Sequence, residues 1–206
     1  MAKNSTARGK IVRRLGVNIY GHSKYDKLLK KKPQGPGQER GRKGRGKQSE
    51  YAKQLLEKQK IRFAYGLSER QFKNTFELAK RLDGLTGDNL IILLEKRLDN
   101  VIYRLGFAVT RAAARQFVSH GHIYVNGRRV NIPSFMVSVN DEITVKPVNE
   151  RSKNLARNNL SKNQQPLADW LTLDADSLKA KIEREPVRTD IQLIGNEQLV
   201  VEFYSR

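Results

Sequence analysis

The stretch from Arg97 to Val145 reads RLDNVIYRLGFAVTRAAARQFVSHGHIYVNGRRVNIPSFMVSVNDEITV, and its apolar period changes along the way. Leu98, Val101, Ile102 and Leu105, continuing back to Leu94, recur at helical spacing and form one apolar stripe. Arg97, Asn100 and Arg104 fall on another side of that helix, with Arg97 and Arg104 nearly superposed along its axis. Gly106 stands where a helix C-terminus favours a left-handed residue. Thr110 is then placed to cap a second helix with its hydroxyl, and that helix carries Ala112, Ala113, Phe117 and Val118. Arg111 and Arg115 share a surface on it, and His120-Gly121 closes it.

From there the period is 2. Ile123-Tyr124-Val125 reads as a short strand. Asn126-Gly127 tolerates positive φ at both turn positions, which is a strong hairpin signal, and Val130 with Ile132 continues the return strand. Phe135, Val137 and Val139 alternate with Met136 and Ser138 as a further strand, Asn140-Asp141 marks a turn, and Ile143 with Val145 alternates again. The order helix, helix, then short strands makes the fold class α+β.

The chemistry of this stretch lies in its arginines. Arg keeps its charge and offers a planar fork of donors suited to phosphate. A solvated basic face is the plain alternative. Three features favour a polyanion-binding face instead: the charges lie on consecutive helices, acidic residues at i,i+4 are nearly absent, and the whole chain is strongly basic. On that reading, reversing the charge of Arg111 or Arg115 weakens binding of the polyanion without unfolding the module.

The totals point the same way. The 206 residues hold 40 Lys and Arg against 21 Asp and Glu, a formal charge of +19. Such an imbalance costs a lone globule self-repulsion and favours a polyanionic partner, with nucleic acid ahead of an anionic membrane. The charge is uneven: residues 1–48 hold 15 basic and 2 acidic residues, whereas residues 148–206 hold 9 of each. There are no cysteines, hence no disulfide, Cys-zinc site or Cys nucleophile. The first ten residues carry no apolar signal core, and the longest apolar run, Leu90–Leu94, is far too short to span a bilayer. The expectation is a soluble intracellular protein of one or two small domains.

Working outward, residues 1–48 are basic and punctuated by Gly and Pro, with few apolar residues, so a basic, loosely ordered N-terminal arm is expected. Gly41, Gly46 and Lys47 match the spacing of a phosphate-binding loop, but Gln48 stands where that loop needs Ser or Thr, and no strand precedes it, so nucleotide binding is rejected. Ser49 to Gly66 reads as a helix, with Tyr51, Leu55, Ile61 and Tyr65 as candidates for its buried side, the Tyr51 ring beside Lys53 being also able to face a nucleic acid, and Lys53, Lys58, Lys60 and Arg62 on its wet or nucleic-acid-facing side. Ser68-Glu69-Arg70-Gln71 is a capping box, stapled by Leu67 and Phe72. Phe72, Phe76 and Ala79 follow at helical spacing, Leu78 and Leu82 widen the apolar face, and a further helix starting near Leu85 runs into the central stretch. Residues 151–166 are polar and without period, a linker or solvated helix. Trp170, Leu171 and Leu173 suggest a strand or edge, Leu178, Ala180 and Ile182 another, and Glu197 to Ser205 is apolar enough to pack as a final helix, although its β-branched Val200-Val201 pair suits a strand equally well.

Several runs carry a resemblance to known proteins: Arg97-Leu98-Asp99, Leu105-Gly106, Thr110-Arg111, Ala114, Val118-Ser119-His120-Gly121 and Val125-Asn126-Gly127. They resemble the S-four RNA-binding module, which occurs in several kinds of RNA-handling protein. The flanks extend the likeness. Pro36-Gly37-Gln38, Tyr51, Leu55, Glu57-Lys58-Gln59-Lys60, Tyr65-Gly66, Glu69-Arg70-Gln71-Phe72, Thr86-Gly87-Asp88-Asn89-Leu90, Trp170-Leu171 and Asn196 to Ser205 look like the bacterial-type ribosomal small-subunit protein four family. The resemblance implies a helical domain at 49–93, completed by 190–206, with an S-four module at 94–155 inserted, and 156–189 as linker and strands returning to the core. It implies a primary binder of 16S-type ribosomal RNA that grips a multi-helix junction, nucleates assembly of the subunit body and contributes to decoding accuracy, in contact with ribosomal small-subunit protein five. That places it in the small subunit of a cytoplasmic ribosome, an organelle ribosome being the other possibility. Some members carry four zinc-binding cysteines near the amino terminus; this chain has none, so no cofactor is expected. Members also commonly show His after Pro-Gly-Gln, where this chain has Glu39.

The expected RNA-binding residues are Arg97, Arg104, Thr110, Arg111, Arg115, His120, Asn126 and Arg128 in the module, with Lys53, Lys58 and Arg62 on the first helix of the helical domain. No catalytic set stands out. His120 and His122 lack a third metal ligand at useful spacing, Asp174 and Asp176 read as a polar turn, and Asp99 reads as ordering Arg97 or a backbone group. No membrane or small-molecule substrate is expected. The alternatives are an accessory factor using the module on another structured RNA, or an RNA-modifying or synthetase enzyme, for which no stretch is left over to form a catalytic domain.

Overall fold

The computed structural model describes residues 6–37, 49–145, 150–162, 166–192 and 194–205. The Gly/Arg-rich run with its phosphate-loop spacing, and Glu39, lie outside the described residues. In chain order the elements are α1 (Arg8–Leu15), α2 (Ser23–Lys31), α3 (Glu50–Ala64), α4 (Glu69–Arg81), α5 (Thr86–Glu95), α6 (Leu98–Arg104), α7 (Arg111–Ser119), β1 (Ile123–Val125), β2 (Arg128–Val130), β3 (Glu142–Val145), α8 (Glu150–Lys162), β4 (Leu171–Asp174), β5 (Lys179–Ile182) and α9 (Glu197–Tyr204). The fold is α+β, as expected. The chain divides into two compact units, one of residues 1–78 and 193–206, the other of residues 79–192. Among the described residues no helix is long and apolar enough to cross a membrane.

The first unit is helical. Within the described part of the basic arm, α1 and α2 are formed and bury Ile11, Val12, Ile19 and Tyr25. Few as they are, these apolar residues fall on facing sides, and Arg13 ties the pair down by donating to the carbonyls of Gln34 and Gly35 at 3.0 and 3.2 Å. Helix α3 starts where its cap signal lies: Ser49 Oγ accepts from the backbone N–H of Ala52 at 3.3 Å. The capping box of α4 closes in both directions, between Ser68 and Gln71 at 3.3 Å each way, with Leu67 and Phe72 buried beside it.

Helix α9 returns from the end of the chain onto α3. Gln54 donates to Glu202 at 2.8 Å, and the backbone N–H of Asn196 donates to Glu57 at 3.0 Å. Gly195 permits this approach, since a Cβ there would stand 3.0 Å from the Glu57 carboxylate and 3.1 Å from Ile61. Phe76 stacks on Tyr204 with ring centroids 4.6 Å apart. Two expectations for this unit are corrected. Tyr51 is 51% exposed, its ring 5.6 Å from that of Phe203 at the surface. Leu78 and, in the second unit, Leu82 are each 46% exposed, because Phe72, Phe76 and Ala79 already occupy the inward stripe of α4.

The second unit is built on an antiparallel sheet of order β2-β1-β3-β5-β4. The hairpin turns at Asn126 (φ 50°) and Gly127 (φ 77°), and its register sets Ile123 opposite Val130. Ile123 faces Val145 and Val125 faces Ile143 on the next pair, so one face is apolar and is extended by Ala180, Ile182 and Leu171. Against it pack Leu98, Val101 and Ile102 of α6, Ala114, Phe117 and Val118 of α7, and Ala156 of α8, with Trp170 1% exposed among them. Residues 150–162 are therefore a packed helix, and β4 and β5 are strands of the module's own sheet.

The continuous helix through Leu94 and Leu105 is also corrected. It breaks at Lys96-Arg97, where Arg97 has extended backbone (φ −69°, ψ 135°) and bridges to Met136. Val137 N–H donates to the Lys96 carbonyl at 3.0 Å, while the first N–H groups of α6, at Leu98 and Asp99, donate to the carbonyls of Phe135 and Pro133 at 2.8 and 3.1 Å. A neighbouring loop thus does the work of a side-chain cap. The same exchange explains why Phe135 to Val139, expected as a strand, forms only that bridge.

Candidate nucleic-acid interface

The break at Lys96-Arg97 sets the geometry of the basic face. Glu95, at the end of α5, is fully buried, and Asp99, in the first turn of α6, is 4% exposed. Around these two carboxylates the arginines assemble. Arg104 is held by Glu95 as a fork, Nε to Oε2 at 2.9 Å and Nη2 to Oε1 at 2.8 Å. Asn100 donates to Glu95 Oε2 at 2.7 Å and accepts from Arg111 Nε at 2.7 Å. Arg111 Nη2 lies 4.0 Å from Glu95, and its guanidinium sits 4.5 Å over the Tyr103 ring. Asp99 accepts a second fork from Arg97 at 3.1 and 2.8 Å, and one bond from Arg115 at 3.0 Å.

Two fates follow for the expected residues. Arg97 is 5% exposed and completes its fork inside the module; it is a structural cation, and the RNA-contact expectation for it is corrected. The reason is the helix break, which swings Arg97 out of line with Arg104. The side chains of Arg104, Arg111 and Arg115 stay 21%, 18% and 23% exposed, anchored below and open at the surface. Thr110 caps α7, its Oγ1 accepting from Ala113 N–H at 3.2 Å. Asn126 is engaged in the turn, donating to Asp141 at 2.8 Å and accepting from Glu142 N–H at 2.9 Å. His120 and Arg128 are exposed, at the end of α7 and the start of β2.

The sequence reading placed Asn100 beside Arg97 and Arg104 without a role, and it missed Glu95, Tyr103 and Arg129. Arg129 Nε donates to the Gly121 carbonyl at 3.1 Å and its Nη2 to that of His120 at 3.2 Å, satisfying the end of α7. The hairpin register, which pairs Arg129 with Tyr124, was the only signal for it. Beside it, His122 stacks near Phe117 and lies 3.1 Å from Ser152 Oγ of α8. Burial, then the charges of His120 and Arg129, hold His122 below the ordinary imidazole range. Gly121 has φ 71°, and a Cβ there would collide with the Arg129 guanidinium. Gly121→Ala is therefore expected to cost about 1–2 kcal/mol through left-handed strain alone, and to free Arg129 from both carbonyls. Thermal melts of the full chain check this; an unshifted melt would mean that the end of α7 rearranges without cost.

In the helical unit, Lys53 is exposed and paired with Glu50 at 2.7 Å, a surface contact of small energy. Lys58 is corrected: it is 4% exposed, its Nζ 2.6 Å from Glu69 and 4.5 Å over the Phe203 ring. It is a packing cation between α3, α4 and α9. Arg62 lies 3.4 Å from the same carboxylate and 4.2 Å over Phe63. Burial alone would raise the Glu69 carboxyl, but hydrogen bonds from Lys58 and Tyr204, with the charges of Lys58 and Arg62, bring it below the usual carboxylate range. Tyr204 is pushed up in turn by burial and by the bond it donates to Glu69. A depressed carboxyl adds stability above its unfolded value, about 4.3, and loses that stability as pH falls through the folded value. The melting temperature is expected to drop on acidification below about pH 5, and Glu69→Gln is expected to shrink that drop. An acid limb identical in Glu69→Gln would assign it to other carboxylates.

Anchored guanidinia on two short helices, beside an antiparallel hairpin and within a chain of +19, form a basic face of the class that nucleic-acid-binding proteins present to phosphates. Residues 3–95 match the family profile described as ribosomal protein S4/S9 N-terminal domain, and residues 96–143 match the S4 domain. Small ribosomal subunit protein uS4 of Treponema denticola is 59% identical over 200 residues, covering 97% of this chain and 96% of that protein. Those of Borrelia duttonii and Borrelia turicatae are 54% and 53% identical over 208 residues, covering all of this chain and 99% of each relative. The chain belongs to the uS4 family of small ribosomal subunit proteins.

Proposed function

We propose that this chain is a structural protein of the small subunit of the cytoplasmic ribosome and a primary binder of 16S-type ribosomal RNA. The observation that carries the reading is the array of Arg104, Arg111 and Arg115, fixed on buried carboxylates with their side chains at the surface of the module. A-form RNA is recognised mostly by shape, phosphate and 2′-hydroxyl, which suits rigid forks more than flexible point charges. The exposed His120 and Arg128 are further RNA contacts of the module on this reading, and Lys53 and Arg62 are the RNA-facing cations of the helical unit. The protein grips a multi-helix junction early, nucleates the subunit body, contacts small-subunit protein five and contributes to decoding accuracy.

We read it as a binding protein and not an enzyme. The two family matches span residues 3–143, and the later described elements complete the module's sheet and the helical unit. An accessory factor would need the module alone; similarity along the full length of ribosomal relatives favours the ribosomal reading. Reconstitution of small subunits with this protein omitted tests it. The expected product lacks later-binding body proteins and is restored by adding the protein first but not last. Complete particles formed without it would overturn the assembly role.

A further inference from the structure

We infer that Glu95 is a positioning residue for RNA recognition: its buried carboxylate holds Arg104 directly and Arg111 through Asn100, and removing its negative charge weakens specific RNA binding instead of strengthening it. The inference rests on the RNA-binding reading above and deepens it.

Simple electrostatics argues against an acid at this place. A carboxylate beneath a face that meets phosphates repels them, and burying it costs desolvation. Glu95 is nevertheless fully buried there. Its geometry supplies the compensating role. Both oxygens are engaged by one guanidinium fork at 2.9 and 2.8 Å, and Oε2 also accepts the Asn100 amide at 2.7 Å. That amide is oriented twice more, by donating to the Glu95 carbonyl at 3.2 Å and by accepting from Arg111 Nε at 2.7 Å. Arg111 is pinned on another side by the Tyr103 ring, 4.5 Å from its guanidinium. One carboxylate therefore sets the planes of two guanidinia on different helices, while both side chains keep part of their surface in solvent, 21% for Arg104 and 18% for Arg111. Long cationic side chains normally lose rotamer freedom when they meet RNA; here that ordering is complete before the RNA arrives. A fork held at a fixed angle can also select one arrangement of phosphates, which a mobile charge does not.

The test compares the full chain with Glu95→Gln and Asn100→Ala, titrated with 16S-type rRNA and with an unrelated duplex RNA of equal length. Wild type is expected to prefer the rRNA. Glu95→Gln is expected to lose about tenfold in affinity for the rRNA, the size of one charge-assisted hydrogen bond, with no loss toward the unrelated duplex. Asn100→Ala leaves every charge in place and is expected to lose several-fold toward the rRNA only. The Nε–H resonances of Arg104 and Arg111 report positioning directly and are expected to exchange faster with water in Glu95→Gln. If Glu95→Gln fails to melt cooperatively, Asn100→Ala decides the question. Equal or tighter binding of both RNAs by a folded Glu95→Gln, with those resonances unchanged, would show that the acid is a mere counter-charge. A wild type without preference for rRNA would overturn the RNA-binding reading itself, an outcome seen before any variant is compared.

Discussion

Asp99→Ala is expected to lower the unfolding free energy of the module by about 3–5 kcal/mol, the cost of leaving a buried charge without its partner. Asp99 is where two arginines meet: Arg97 donates a fork to it and Arg115 a single bond. Arg97 is 5% exposed, so it cannot recover in water what it loses. Its backbone is also the joint between α5 and α6, bridged to Met136, so the loss reaches the loop that satisfies the first turn of α6. Denaturant midpoints read the effect, with circular dichroism following the helices. A midpoint unchanged from wild type would mean that Arg97 finds another partner, and that the two-carboxylate frame is not what holds this joint.

Arg111→Gln is expected to weaken binding to 16S-type rRNA by about ten- to a hundredfold and to reduce the salt dependence by about one counterion, with a melt that stays cooperative and is lowered only by the loss of the bond to the buried Asn100, about 1–3 kcal/mol. On the sequence alone, reversal to Glu looked harmless to folding. The structure corrects this, because Arg111 Nη2 lies 4.0 Å from Glu95 and a carboxylate there would face a buried one. Reversal at Arg115 would do the same beside Asp99. Charge-reversed variants would therefore lose binding and stability together and would not separate the roles. If Arg111→Gln kept full affinity, the RNA-facing side of the array would lie elsewhere, toward His120 and Arg128.

Local signals were legible in the sequence and nonlocal ones were not. The Ser68–Gln71 capping box, the Thr110 cap, the Asn126-Gly127 turn and the left-handed Gly106 and Gly121 each depend on a few neighbouring residues, and each forms as read. The break between α5 and α6 depends on backbone bonds from residues 133–137, more than thirty positions away, so the apolar stripe read straight through it. That single miss hid the site's organisation. With a continuous helix, Arg97 and Arg104 seemed to share a face; Asp99 was read beside Arg97, but nothing pointed to Glu95 beneath Arg104. With the break, Glu95 reaches Arg104 and Asn100, Asp99 takes Arg97 and Arg115, and the face becomes a framework of ion pairs. Lys58 was misplaced for a related reason: its partners, Glu69, Phe203 and Tyr204, come from α4 and from the far end of the chain. Alternation from Phe135 to Val139 was real but had no neighbouring strand to pair with, whereas β4 and β5 found one in β3.

Nuclease footprinting of the purified protein on naked small-subunit rRNA, across a salt titration, tests direct and specific recognition of that RNA. The expected result is protection of one multi-helix junction, with affinity falling steeply as salt rises because several phosphates are neutralised together. Diffuse protection that vanishes at moderate salt would contradict it, leaving only a basic module with no chosen RNA site.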